Sequence, residues 1–129
     1  TYTIEGVDAA IVKADETHMN SIFSNLIFNA KDALEEQEVD RPKEINVAVD
    51  RMDDKNDNFF LIKVSDNGPG ITEENLKQIF EPFFSTKPTS GTGLGLGIVK
   101  RLVKLYGGKI EATSEEGKRT AFTITLKRV

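Results

Sequence analysis

The run Gly91-Thr92-Gly93-Leu94-Gly95-Leu96-Gly97 constrains the fold most, because it leads directly into an apolar pattern of helical spacing, Leu94, Ile98, Val99, Leu102, Val103 and Tyr106. Alternating glycines let a backbone approach a ligand closely or take positive φ. A helix start adds unpaired N–H groups and the positive end of the helix dipole. That geometry suits a polyphosphate. A dinucleotide fingerprint does not fit, since its third glycine would fall at Leu96 or Ile98 and no strand precedes the run. A P-loop does not fit either, because Gly108-Lys109 is followed by Ile110, and the HRD and DFG sequences of protein kinases are absent. Taken alone, the run also suits a flexible linker before an ordinary helix.

Three further segments bear on that choice. Met19, Ile22, Phe23, Leu26, Ile27, Ala30, Ala33 and Leu34 follow helical spacing, and Asn25, Asn29 and Asp32 share one face at the margin of that stripe. Mid-helix asparagines cost helix propensity, yet their carbonyl oxygens can ligate magnesium; a solvated polar face is the alternative. Leu61 to Ser65 alternates like a strand and ends in Asp66-Asn67-Gly68-Pro69-Gly70-Ile71. Asp66 there can accept a hydrogen bond from the exocyclic amine of adenine, while the same segment reads as a turn into a helix N-capped by Thr72, with Glu73 and Glu74 in its first turn. Ile79-Phe80-Glu81-Pro82-Phe83-Phe84-Ser85-Thr86-Lys87-Pro88 reads as a lid with reversible aromatic anchors, Lys87 carrying charge toward phosphates, or as a packed surface loop.

In this order the segments resemble the catalytic ATP-binding domain of bacterial sensor histidine kinases, within the wider group that includes gyrase, Hsp90 and MutL. NLIFNAKDAL is similar to that family's N box, SDNGPGI to its first glycine box, IFEPFFSTK to its F box and GTGLGLGIVK to its second glycine box. The closing YGGKI and GKRTAF are similar too, so the resemblance covers the chain beyond about residue 10.

The resemblance implies ATP and Mg2+ as cofactors, with Asn29 on the metal and Asn25, Asn29 and Lys87 in catalytic roles. Asp66 would read adenine, Thr120 would support it, and Gly68, Gly70 and Ile71 would shape the pocket. Phe80, Phe83 and Phe84 would belong to the lid, while Asp32, Gly91, Thr92, Gly93, Leu94, Gly95 and Leu96 would complete the nucleotide site. Partners would be a helical dimerisation domain of the same protein, which carries the phosphoaccepting histidine, and a response regulator receiver domain. Cytoplasmic placement follows, whether or not a membrane anchor lies elsewhere, with no membrane contact by this part.

Departures from the family pattern also carry information. Hydrolysing relatives place a glutamate base four residues before the metal asparagine; Asn25 stands there, which favours phosphoryl transfer over ATP hydrolysis. Asp32 replaces a commonly basic residue, Gly97 a usual serine, and Arg119 interrupts a GxGT pattern before Thr120. A serine/threonine kinase of the anti-sigma type and an ATP-hydrolysing conformational switch are the rival activities on this fold. A binding module without nucleotide is the non-enzyme alternative.

Composition sets outer limits. With 129 residues and 38% hydrophobic content, the chain is expected to form one domain around one core. A net charge of −4, without a basic run interleaved with aromatics, argues against a general nucleic-acid binder. The lack of cysteine excludes disulfides, and neither a signal peptide nor an apolar run of membrane-spanning length is visible.

Strands are expected near Ala10 to Lys13, Glu44 to Asp50, Phe59 to Ser65, Lys109 to Thr113 and Ala121 to Lys127, with helices from about Glu16 to Glu36 and from the glycine run to Tyr106. Without regular βαβ alternation, an α+β two-layer sandwich follows. The resemblance makes it the Bergerat type, a mixed, mostly antiparallel sheet covered by helices on one face. Asp53 to Asn58 reads as a solvated hairpin loop, since it lacks the glycine and glutamate of a calcium loop. His18, the only histidine, reads as a helix-start residue.

Overall fold

The structure, a computed structural model, describes residues 2–6, 15–36, 40–53, 58–81 and 95–127. Its elements in chain order are β1 (Tyr2–Gly6), α1 (Glu16–Glu35), β2 (Ile45–Asp53), β3 (Asn58–Asp66), α2 (Glu73–Leu76), α3 (Gly95–Leu105), β4 (Lys109–Glu115) and β5 (Arg119–Lys127). The expected strand at 10–13 and most of the expected lid, including Phe83, Phe84, Lys87, Gly91, Thr92, Gly93 and Leu94, lie outside the described residues.

The five strands form one sheet in the order β1-β2-β3-β5-β4. β1, which the sequence pattern did not reveal, pairs parallel to β2, and the other neighbours pair antiparallel. Period-2 alternation fixes which face is covered. Along β3 and β5, the pairs Phe60↔Leu126, Ile62↔Ile124 and Val64↔Phe122 lie on one face and are buried. α1 lays Ile22, Leu26, Ala30 and Leu34 on that face, and α3 adds Val99 and Val103. Spacing of four along α1 produces this stripe, and each large side chain so buried stabilises the fold by about 1.5–3 kcal/mol. The result is the expected α+β sandwich.

Helix ends are set locally. Asp15 caps α1, its Oδ1 accepting from the backbone N–H of Thr17 at 2.8 Å and of His18 at 3.4 Å. Those two N–H bonds, first of all that of Thr17, hold the Asp15 carboxyl below its ordinary range. Thr72 caps α2 as expected, its Oγ1 accepting from the Asn75 N–H at 3.2 Å. His18 is more than a helix-start residue: its Nδ1 lies 2.6 Å from the Tyr106 hydroxyl, which also accepts from the Asp15 N–H at 2.9 Å. This contact ties the start of α1 to the end of α3. Ile98 departs from its expected place in the apolar stripe, being 44% exposed on the outer side of α3.

α3 ends in paired hydrogen bonds, Gly107 N–H to Lys104 O at 3.0 Å and Gly108 N–H to Val103 O at 2.9 Å, with Gly107 left-handed at φ 71°. The two glycines serve different ends. A Cβ on Gly107 would meet open space, whereas one on Gly108 would fall on the Thr125 carbonyl oxygen and crowd Val103 and Leu126. In urea titrations Gly107→Ala should therefore cost about 1 kcal/mol, through φ alone, and Gly108→Ala at least about 2 kcal/mol, through backbone overlap. Equal costs would show that strand β5 yields freely at Thr125.

Candidate functional site

α1 is the spine of the site, because two glycines, one in a turn and one at a helix start, approach it at different heights. Gly68, in the turn after β3, comes so close to Ala33 that an added Cβ would lie 3.4 Å from that residue's carbonyl carbon and Cβ. Gly95, opening α3, comes so close to Asn25 that an added Cβ would lie 2.8 Å from its Oδ1. Asn29 stands midway between these contacts, with Asp32 beside it, both half-buried. The eight residue steps from Asn25 to Ala33 span about 12 Å of helix axis. An elongated ligand laid along this face would meet a carboxylate-bearing turn at one end and a helix start at the other.

At the first end, Asp66 closes β3 and is only 5% exposed. The Gly68 N–H donates to its Oδ1 at 2.9 Å, and an added Cβ at Gly68 would sit 2.8 Å from the same oxygen, so this turn accepts no side chain without moving the carboxylate. Opposite Asp66 on β5 lies Thr120, 3% exposed. Thr120 Oγ1 is 3.2 Å from Ser114 Oγ, whose proton goes to the Arg119 carbonyl at 2.9 Å, leaving Thr120 as donor of the pair. Ser114 Oγ also accepts the Ile71 N–H at 2.7 Å, so one hydroxyl joins Ile71 and Thr120. Arg119, which breaks the GxGT pattern, leaves this arrangement intact because Gly117 supplies the left-handed turn residue at φ 82°.

Gly70 explains why the turn needs its second glycine. Its φ is 74°, and a Cβ there would lie 2.5 Å from the Glu115 carbonyl oxygen. The Pro69 carbonyl accepts from the Gly117 N–H at 2.6 Å, so the turn after β3 is stacked on the β4–β5 hairpin turn. Asn67 is no simple turn former. Its Oδ1 accepts from the Glu44 N–H at 2.8 Å and its Nδ2 donates to the Pro42 carbonyl at 2.7 Å, fastening the segment ahead of β2.

At the second end, Asn25 Nδ2 donates to the Ser21 carbonyl at 2.7 Å, and its Oδ1 is the atom that a Cβ on Gly95 would meet. Close approach, not positive φ, is therefore what glycine serves at 95, since a Cβ there would make the Asn25 carboxamide shift: among the described glycines only Gly70, Gly107 and Gly117 have positive φ. Leu96 packs against the core beside this start. Phe80, at the mouth of the expected lid, packs edge-on against Phe122 with centroids 6.2 Å apart and carries Lys100 Nζ 5.5 Å above its ring.

Two side chains of the site escaped the sequence reading. Ser114 lies on an edge strand where a serine gives no signal, and Arg41 is one of two cations, with Lys43, shortly before β2. Its Nη2 is surrounded by the carbonyl oxygens of Asn67, Gly68, Gly117 and Lys118. Among the described residues no group of three His, Cys, Asp or Glu side chains forms a metal centre, and no helix is long and apolar enough to cross a membrane.

Known proteins are similar to this chain in sequence and in fold. The family described as histidine kinase-, DNA gyrase B-, and HSP90-like ATPase matches residues 14–129. Sensor histidine kinase ZraS of Klebsiella oxytoca is 39% identical over 89% of this chain and 23% of its own length. Sensor kinase CckA of Brucella abortus is 40% identical over 96% of this chain and 14% of its own. The chain thus spans less than a quarter of the length of either relative. Among solved structures, mycobacterial sensor histidine kinase MprB has the same fold, with a TM-score of 0.83 at 24% identity over 98% of this chain and 82% of that one. Full-length ShkA in complex with AMPPNP gives a TM-score of 0.73 at 26% identity over 99% of this chain and 26% of that one. The chain belongs to the histidine kinase-, DNA gyrase B- and HSP90-like ATPase family.

Proposed function

We propose that this chain is one catalytic module that binds Mg-ATP and donates the γ-phosphoryl group to a histidine on a separate helical dimerisation domain of the same protein, ahead of a response regulator. The observation that carries it is the double approach to α1, Gly68 at Ala33 and Gly95 at Asn25, with Asn29 between. The donor set fits the ligand. A buried, acceptor-only carboxylate at Asp66 suits an adenine amine, and the side-chain-free Gly68 turn leaves room for a flat base against it. Carboxamide oxygens at Asn25 and Asn29 are hard donors, and magnesium takes oxygen ligands, few of them from the protein and the rest from phosphates and water. When bound, the metal neutralises charge on the phosphates.

The chain's own residues orient the base at Asp66, hold the phosphate end near Asn29 and the start of α3, and present Asn25 in place of a general base. A carboxamide tied to Ser21 takes no proton from water, which favours transfer over hydrolysis. Lys87 and the lid aromatics Phe83 and Phe84 complete the reading from the sequence. The similarity to ShkA, described in complex with AMPPNP, supports a nucleotide at this site.

Asp66→Asn should weaken adenine nucleotide binding by roughly 1.5–3 kcal/mol, or about ten- to over a hundredfold, measured by calorimetry, because an amide can turn a donor toward the adenine amine. A folded variant of unchanged affinity would remove Asp66 from the site.

Asn29→Ala should reduce magnesium-dependent ATP binding by about tenfold or more while leaving adenosine binding nearly intact, since only the phosphate end meets the ion. Equal losses for both ligands would point to damage to α1 as a whole.

Incubated with ATP, the chain alone should acquire no phosphate, whereas a cognate helical dimerisation domain added in trans should gain an acid-labile, base-stable phosphohistidine. Label on His18 of the isolated chain would overturn the assignment of the acceptor to another domain.

A further inference from the structure

We propose that Arg41 is a positioning residue for the base pocket, acting on Asp66 through one peptide plane; this rests on the reading of Asp66 as the adenine acceptor. Arg41 Nη2 lies within hydrogen-bonding reach of four main-chain carbonyls, those of Asn67, Gly68 (3.1 Å), Gly117 (3.4 Å) and Lys118 (3.2 Å). Two belong to the turn after β3 and two to the β4–β5 hairpin turn. Carbonyl dipoles converging on one point repel one another, and a guanidinium among them turns that repulsion into attraction.

The Asn67 carbonyl that Arg41 holds and the Gly68 N–H that holds Asp66 Oδ1 at 2.9 Å are the two ends of a single peptide group. A peptide group is rigid and planar, so fixing its oxygen fixes the direction of its N–H. Hydrogen bonds at the two ends of one amide also polarise each other. The Arg41 charge therefore both aims and strengthens the donor that orients the Asp66 carboxylate. Asn67 holds the same plane from its other side by fastening its side chain to Pro42 and Glu44, the neighbours of Arg41 in sequence.

The consequence is that base recognition depends on a residue that need not touch the base. Lysine retains the charge but not the fork, and glutamine retains donors without the charge.

The test uses the whole chain and three variants, Arg41→Ala, Arg41→Gln and Arg41→Lys, with two readouts that a mere fold staple would not move once exchange is referred to the core amides of β3. These are the ratio of ATP to GTP affinity by calorimetry and hydrogen exchange at the Gly68 amide by NMR. Arg41→Ala and Arg41→Gln should lower ATP affinity roughly tenfold, narrow the preference for ATP over GTP, and speed Gly68 exchange. Arg41→Lys should recover part of each. Should Arg41→Ala fail to fold, Arg41→Gln against Arg41→Lys decides. Folded variants that keep the wild-type base preference and Gly68 protection, with only a lower melting temperature, would overturn the proposal and leave the adenine pocket standing. A wild-type chain without preference for adenine would remove the pocket reading and this inference with it.

Discussion

Everything in the site depends on keeping a carboxylate inside the end of an apolar sheet. Asp66 follows Phe60, Ile62 and Val64 on the covered face of β3, so the alternation that builds the core also carries an acid into it. Burying such a group without partners would cost several kcal/mol. Its surroundings meet that demand from the backbone: the Gly68 N–H donates to it, the turn is glycine so that the donor comes close, and Arg41, Gly70 and the β4–β5 hairpin hold that turn in place. A one-residue slip of β3 against β5 would put Asp66 on the opposite face and leave both the pocket and the core without their side chains. The same register thus specifies fold and site.

The second dependence is on α1, which serves the core with one stripe and the site with the adjoining face. Its contact with α3 runs antiparallel, Gly95 near Asn25 and Tyr106 near His18. The two ends of that contact differ in kind. At the His18 end a hydroxyl binds an imidazole nitrogen and a backbone N–H, a directional clamp; at the Asn25 end a glycine allows close approach without a hydrogen bond of its own. α3 is therefore fixed by side-chain hydrogen bonds at its far end and by close packing at its start.

How much of this was legible in the sequence follows from the range of the interactions. The stripe of α1, the alternation of β3, the cap at Thr72 and the glycine turn after Asp66 are local patterns, and each appears where the residues placed it. The parallel edge strand β1 has no such signature, because its place is decided by β2. Ile98 fits helical spacing equally well as a core or a flank residue; packing of α3 against both the sheet and α1 decides, and leaves it outside. Arg41 was invisible for the opposite reason to Asp66. Its carbonyl partners lie 26 to 77 residues away and are main-chain atoms, which any sequence supplies.

Asn25 shows how a poor helix former earns its place. Its Nδ2 donates to the Ser21 carbonyl one turn earlier, a bond within the helix that fixes the carboxamide and turns its oxygen toward the start of α3. A glutamate at this position would present no donor to that carbonyl; two oxygens would repel, and the carboxylate would swing away. Asparagine therefore does two things at once. It withholds a base from the phosphate end of the proposed ligand, and it supplies a neutral oxygen at the point where Gly95 lets the backbone of α3 come in. The same amide hydrogen bond that offsets its low propensity fits the proposed transfer chemistry, which needs no base on this helix.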